Sequence, residues 1–315
     1  MERRNFLRTA FLGTVAGIAG MKNNKLLALN SRPEADAPQS EITPDLVAVM
    51  GGEPDQLYAR AIQEMGGMKR YIKSGMKVVV KPNIGWDKAP EFAACTNPIL
   101  VAAIVRDCLD AGASEVKVFD HTCDQWKGCY ENSGIQEAVR QAGGQMVYAH
   151  EEKYFRETEL PSAIRMKRPK IHEALLDCDA WINVPVLKNH GGARMTICMK
   201  NYMGIVWDRR YLHSNDLQQC IADAATFSKK PVLNIVDAYR IITQNGPKGR
   251  GLEDVQTPKA LFVSSDIVAV DTAATQFFNQ FSPMTIQEAS HILLAEKHNL
   301  GTTKLDKLNI KRILL

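Results

Sequence analysis

The sequence predicts an α/β fold: a three-layer sandwich in which a mostly parallel sheet is covered by helices on both faces. Apolar runs alternate with helix-period segments from Asp45 onward, which is the punctuation of βαβ units. The runs are continuous rather than alternating, as in "KVVVKPN" and "AWINVPVLKNH", and so describe strands buried on both sides. Most of the runs also pass into Lys, Asn, His or Asp, residues that suit a wet edge better than a core.

In chain order, "LVAVMGG" is the first expected strand and is followed by a helix to about Ile72. "KVVVKPN" comes next, then a helix from Pro98, the strand "VKVFDHT", a helix from about Gly134 and the strand "MVYAH". Asn97 suits an N-cap and Pro98 the first helical turn. "KIHEALLDCD" reads as a helix leading into a strand at Trp181, and a small subdomain is expected around residues 150–180 and 200–230. The later strands are "AWINVPVLKNH", "VLNIVDAY" and "ALFVSSD", the last running into the helical "IVAVDTAATQFF" with Asp266 as N-cap. At 100° per residue, Val270, Ala273, Ala274 and Phe277 make an apolar stripe with Asp271 at its margin. A half-buried carboxylate there needs a helix N-terminus, a lysine or a metal as partner to stay charged.

The 315 residues are 45% hydrophobic and 23% charged, which supports a substantial core and excludes a disordered chain. Net charge is +4, with Lys and Arg spread along the chain, so no basic stripe marks a nucleic-acid interface. An anionic small ligand suits that balance. The 7 cysteines show no C-x-x-C spacing and their odd number fits no complete disulfide framework; only Cys123 and Cys129, in "HTCDQWKGC", lie in a short polar segment.

The front of the chain has a different character. "MERRNFLRTAFLGTVAGIAG" joins a basic head to an apolar stretch too short for a comfortable membrane span, and residues 1–30 read as an export signal. Arg3, Arg4, Phe6 and Leu7 resemble the twin-arginine pattern, which implies export across the cytoplasmic membrane by the machinery that carries folded proteins. The cleavage site near Ala28 is weakly marked, and an uncleaved signal would leave the protein attached to the membrane. Residues 31–44 are Pro-rich and polar and are expected as a linker, with the α/β domain from 45 to 315.

Function is expected where the strands end. Lys81 and Asn83, Asp120 and His121, Lys188 and His190, Asp237, and the segment from Ser264 to Asp266 all follow apolar runs, and in an open parallel sheet such ends share one ligand-binding edge. Thr96 and Asn97 introduce a helix whose amides would face the same edge, while Gly191 and Gly192 let the backbone approach a ligand. Asp120, His121, Lys188, His190 and Asp237 are the candidate catalytic residues, the histidines exchanging protons against the aspartates. Lys81, Asn83, Thr96, Asn97, Lys200, Asn201, Asp266 and Asp271 are the candidate ligand-binding residues. An alternative gives Asp120, His121, His190 and Asp237 to a metal or redox centre, and another makes the edge a non-catalytic binding site. The Gly-rich "TQNGPKGRG" at 243–251 matches neither a P-loop nor a dinucleotide fingerprint and reads as a solvated turn.

The ordered set "VVVKPN", "TNP", "AGASEVKVFD", "INVPVLKNH", "MKNYMG", "LNIVDA" and "DIVAVDTAA" resembles the DUF362 family over roughly residues 45–280. That resemblance implies an α/β domain in a family often associated with iron–sulfur clusters. The ferredoxin-like cysteine clusters of many relatives have no counterpart in this sequence, so no cluster is carried over. The strand, T-x-P helix start and Gly-ended helix are also similar, at the level of fold alone, to the N-terminal domain of nickel-pincer lactate racemases.

Overall fold

The computed structural model describes residues 43–315. The expected signal at 1–30, and the linker up to residue 42, lie outside the described residues.

The strands are β1 (Leu46–Met50), β2 (Lys77–Pro82), β3 (Glu115–Val118), β4 (Gln145–Met146), β5 (Phe155–Glu157), β6 (Lys170–His172), β7 (Ala180–Val184), β8 (Val186–His190), β9 (Arg194–Thr196), β10 (Leu233–Ile242), β11 (Val255–Gln256), β12 (Ala260–Ser264) and β13 (Ile310–Leu314). The main sheet runs β13-β1-β12-β10-β7-β2-β3-β4. Along this path β12 alone is antiparallel to its neighbours, β1 and β10. Mostly parallel pairing therefore holds, and β10, β7, β2, β3 and β4 end on one edge.

Helices cover both faces. Val78, Val80, Val116, Val118, Ile182 and Val184 share one core with Leu57, Leu100, Ile104 and Val139 from the helices Pro54–Glu64, Pro98–Asp110 and Ile135–Gln141. Successive strand residues point to opposite faces, so Phe262, between Leu261 and Val263 of that core, packs on Phe277 of the helix Ile267–Phe278 at 5.2 Å between ring centroids. This two-sided burial is the physical reason why the strands lack alternation.

Several expectations are corrected. β12 runs against its neighbours, so Asp266 lies at the opposite end of the sheet from Lys81; its carboxylate accepts the amides of Val268, Ala269 and Thr302 at 2.9, 2.8 and 3.0 Å. β10 continues to Ile242, which puts Asp237 in mid-strand, paired in register with Leu261. "AWINVPVLKNH" is two strands divided at Pro185, and β8 turns back through β9 as an antiparallel hairpin. "MVYAH" contributes only Met146 to a strand, and "HTCDQWKGC" runs into a helix, Trp126–Asn132. The stretches around 150–180 and 200–230, expected as a small subdomain, hold the β5–β6 ribbon and the helices Arg209–Ser214 and Leu217–Ala224 and fall in one compact unit with the rest of the described residues. Among the described residues, no helix is long and apolar enough to cross a membrane.

Candidate functional site

β2 and β3 are parallel neighbours with Val80 opposite Val118, so the residues just beyond them leave the sheet side by side. Lys81 Nζ lies 2.8 Å from Asp120 Oδ1 and donates to Asn201 Oδ1 at 2.8 Å. All three side chains are buried. Such a pair is stable only if its leftover hydrogen-bonding capacity is met. Ile84 N donates to Asp120 Oδ2 at 2.6 Å, and Asn201 Nδ2 donates to Asn183 Oδ1 at 2.9 Å and to the Lys81 carbonyl at 3.1 Å. Burial pushes the Lys81 ammonium below its ordinary pKa, and the Asp120 charge opposes that shift.

Lys188, on β8, donates to Asn83 Oδ1 at 2.9 Å and to the Ala94 carbonyl, and burial lowers its pKa to about 8. Lys200 differs from both. Its ammonium has no hydrogen-bond or ion-pair partner among the described residues, and its pKa is lowered to about 8, first by burial and then by nearby cations, Lys188 foremost. It sits on the short helix Cys198–Asn201, whose first amides, Cys198 N and Met199 N, donate to Asp271 at 2.9 and 3.0 Å. Burial pushes Asp271 up to about 7 while those amides pull the other way. Asp271 thus positions the helix that carries Lys200 and Asn201.

Around these groups is a cavity of about 440 Å³, lined in part by Asn83, Asp120, His121, Lys188, His190 and Lys200. Its cationic lining is extended by Arg209 and Arg210, and among the described residues Asp120, already paired with Lys81, is its one lining carboxylate. Of the three histidines on this cavity, His121, His190 and His213, the first two are held as opposite tautomers. His121 Nδ1 donates to the Val206 carbonyl at 3.0 Å, leaving Nε2 as an acceptor, and its ring stacks on Trp207 at 4.9 Å. His190 Nδ1 accepts the Ala193 amide at 3.1 Å, leaving the ring proton on Nε2. Burial, reinforced by nearby cations, lowers His121 to about 4 and His190 to about 2, so both rings are neutral near pH 7.

The structure brings Asn83, Asp120, His121, Lys188, His190, Lys200 and Asn201 together on this cavity, with Lys81 directly behind Asp120 and Asn201. Others hold the frame and do not line it. Thr96 Oγ1 accepts the Asn83 amide at 2.8 Å and donates to the Val184 carbonyl at 2.7 Å. Asn97 caps the Pro98–Asp110 helix through Ile99 N at 3.0 Å, and its own amide donates to Asp237 Oδ2 at 2.7 Å. Asp237, raised to about 6 by burial, also accepts the Tyr239 amide at 3.0 Å. With Asp237 so engaged, the four candidate metal ligands Asp120, His121, His190 and Asp237 form no cluster; among the described residues no group of three or more His, Cys, Asp or Glu is placed to hold a metal ion.

Arg209 escaped the sequence reading, yet it closes one wall: its guanidinium donates to the carbonyls of His121 and Thr122 at 2.8 and 2.5 Å and to Cys123 Sγ at 3.1 Å. A signal existed. Arg209 and Arg210 open a helix behind the N-cap Asp208, where the helix dipole disfavours cations, so their placement asks for another reason. Thr196 was also missed; it lines the cavity, buried, with its hydroxyl unpartnered among the described residues. A larger cavity, about 610 Å³, lies beyond Val206–Tyr211, but its Lys170 and Arg168 are already paired with Glu152 and Glu159.

A family model described as a domain of unknown function, DUF362, matches residues 78–276. The chain belongs to the DUF362 family. Every cavity residue named above falls inside the DUF362 match. A thylakoid-associated protein of Synechocystis sp. is 26% identical over 233 residues, covering 71% of this chain and 70% of that protein. Among solved structures, the lactate racemase apoprotein from Thermoanaerobacterium thermosaccharolyticum is similar, with a TM-score of 0.47 and 14% identity. That match covers 77% of this DUF362 chain, which spans only 58% of the racemase chain.

Gly204 shows how tightly the site is built: a Cβ there would lie 1.7 Å from Asp120 Oδ1 and 2.5 Å from Lys81 Nζ. Gly204→Ala is therefore expected to force the buried pair apart and to destabilise the protein by about 3 kcal/mol in chemical denaturation. A variant as stable as the parent would show that the pair is not confined in this way.

Proposed function

We propose that the protein binds a small organic anion, a carboxylate or phosphate, in the cavity at the C-terminal edge of the sheet, and acts on it with the amines and imidazoles that line it. The observation that carries this reading is half-buried Lys200, whose ammonium has no partner among the described residues, beside Lys188 and Arg209 in a cavity where the lining carboxylate Asp120 is already neutralised. Clustered cations in a partly desolvated site repel one another, and an anion relieves that repulsion. The neutral histidines add an acceptor at His121 Nε2 and a donor at His190 Nε2, the complement required for moving a proton on a bound ligand.

The pH dependence has a definite sign. Anion binding requires protonated amines, and Lys188 and Lys200 lose their protons near pH 8. Affinity is expected to be full below that value and to fall as pH rises through it. Thermal melting of the purified protein with a panel of carboxylates and phosphates, from about pH 6.5 to about pH 9.5, checks this. At least one ligand should raise Tm most at the acid end, and Lys200→Ala should weaken its binding by about tenfold or more. A panel without effect at any pH, or stabilisation that grows with pH, would contradict the reading.

We further propose that the protein is exported through its N-terminal twin-arginine signal, on the strength of Arg3, Arg4, Phe6 and Leu7. Cell fractionation should find the native chain beyond the cytoplasmic membrane and the double variant Arg3→Lys, Arg4→Lys retained inside. Retention of the native chain in the cytoplasm would refute export.

A further inference from the structure

The lysines at this site are not equivalent. Lys81 is held by Asp120 and Asn201, and Lys188 by Asn83 and the Ala94 carbonyl, so their nitrogens are committed to the protein. Lys200 is committed to nothing among the described residues, although Asp271 fixes the helix beneath it. An amine crowded by other cations in a partly desolvated cavity is the arrangement that yields a neutral, nucleophilic lysine at ordinary pH. With a pKa of about 8, about a tenth of the Lys200 side chains are neutral at pH 7.

The other lining groups suit a ligand with both a carboxylate and a carbonyl. Arg209 and Lys188 supply charge for the carboxylate. The neutral His190, its proton on Nε2, supplies a hydrogen-bond donor of the kind that polarises a carbonyl. Thr196 adds a buried hydroxyl with no partner among the described residues.

We infer that Lys200 is a nucleophilic amine that captures a small oxo acid in this cavity as a Schiff base. The inference rests on the anion-binding reading and names the class of ligand. In the addition step the Lys200 nitrogen lone pair forms a bond to the carbonyl carbon, the carbon–oxygen π pair moves to oxygen, and a proton passes from nitrogen to that oxygen, giving a carbinolamine. In the second step the nitrogen lone pair expels the hydroxyl, which takes a proton from solvent and leaves as water. The iminium keeps one N–H. The net change is amine plus carbonyl plus one proton going to iminium plus water, with no oxidant or reductant.

The experiment uses the full chain, with pyruvate and glyoxylate as probes and sodium borohydride to reduce any iminium to a stable secondary amine. Intact mass should show one adduct per chain, and peptide mapping should place it on Lys200. Lys200→Arg keeps the charge but lacks a nucleophilic amine, so it should still gain thermal stability from pyruvate while forming no adduct. If that variant fails to fold, the mapped position in the native protein decides alone. Stabilisation of the native protein by pyruvate without a borohydride-dependent adduct, or adducts spread over surface lysines, overturns the Schiff-base assignment and leaves anion binding standing. If neither oxo acid stabilises or adds, the assignment also falls, and anion binding is then judged on phosphates and carbonyl-free carboxylates.

Discussion

A buried ammonium has to be solvated by the protein itself, and that requirement at Lys81 ties the site to the fold. The charge sits at the end of β2, its carboxylate partner Asp120 just beyond β3, and its amide partner Asn201 on a helix in the following half of the chain. Neither ion is tolerable alone at that depth. The parallel register of β2 and β3 supplies the first contact, and the Asn201–Asn183–Asn234 ladder beneath the cavity supplies the second. Gly204 exists where it does because nothing larger fits beside this pair.

Once that frame is in place, the cavity's chemistry follows from what is left over. Lys81 and Lys188 spend their hydrogen bonds on the structure, Asp271 and Asp237 spend theirs on backbone amides at the starts of helices or within strands, and the surplus is positive charge at Lys200, Arg209 and Arg210. The carboxylates that look catalytic in a list of polar residues are mostly anchors. Burial raises their pKa values, and the backbone amides whose hydrogen bonds they accept pull the other way, which offsets part of the cost of their depth.

The sequence made the layers legible because strands covered on both faces must be apolar throughout, as Val78 to Val80 and Ala180 to Val184 are. It made much of the site legible for the complementary reason: a polar residue directly after such a run has to leave the core at an edge. What composition does not encode is direction. "ALFVSS" reads identically whether its strand runs with or against its neighbours, and the antiparallel insertion of β12 between β1 and β10 carries Asp266 to the far rim. Strand length was hidden for a similar reason, since Arg240 to Ile242 extend β10 past the expected strand "VLNIVDAY" only because β8 and β11 pair with it there. Arg209 was missed because it comes from the first turn of a short helix whose role depends on the His121–Cys123 loop, far away in the chain.

The central claim is that these leftover cations form an anion site. Crystals of the protein soaked in bromide and measured at the bromine absorption edge test it without assuming any metabolite. An anomalous peak is expected inside the cavity within hydrogen-bonding distance of Lys200 Nζ. Bromide found only on the outer surface, with the cavity holding water alone, would contradict it.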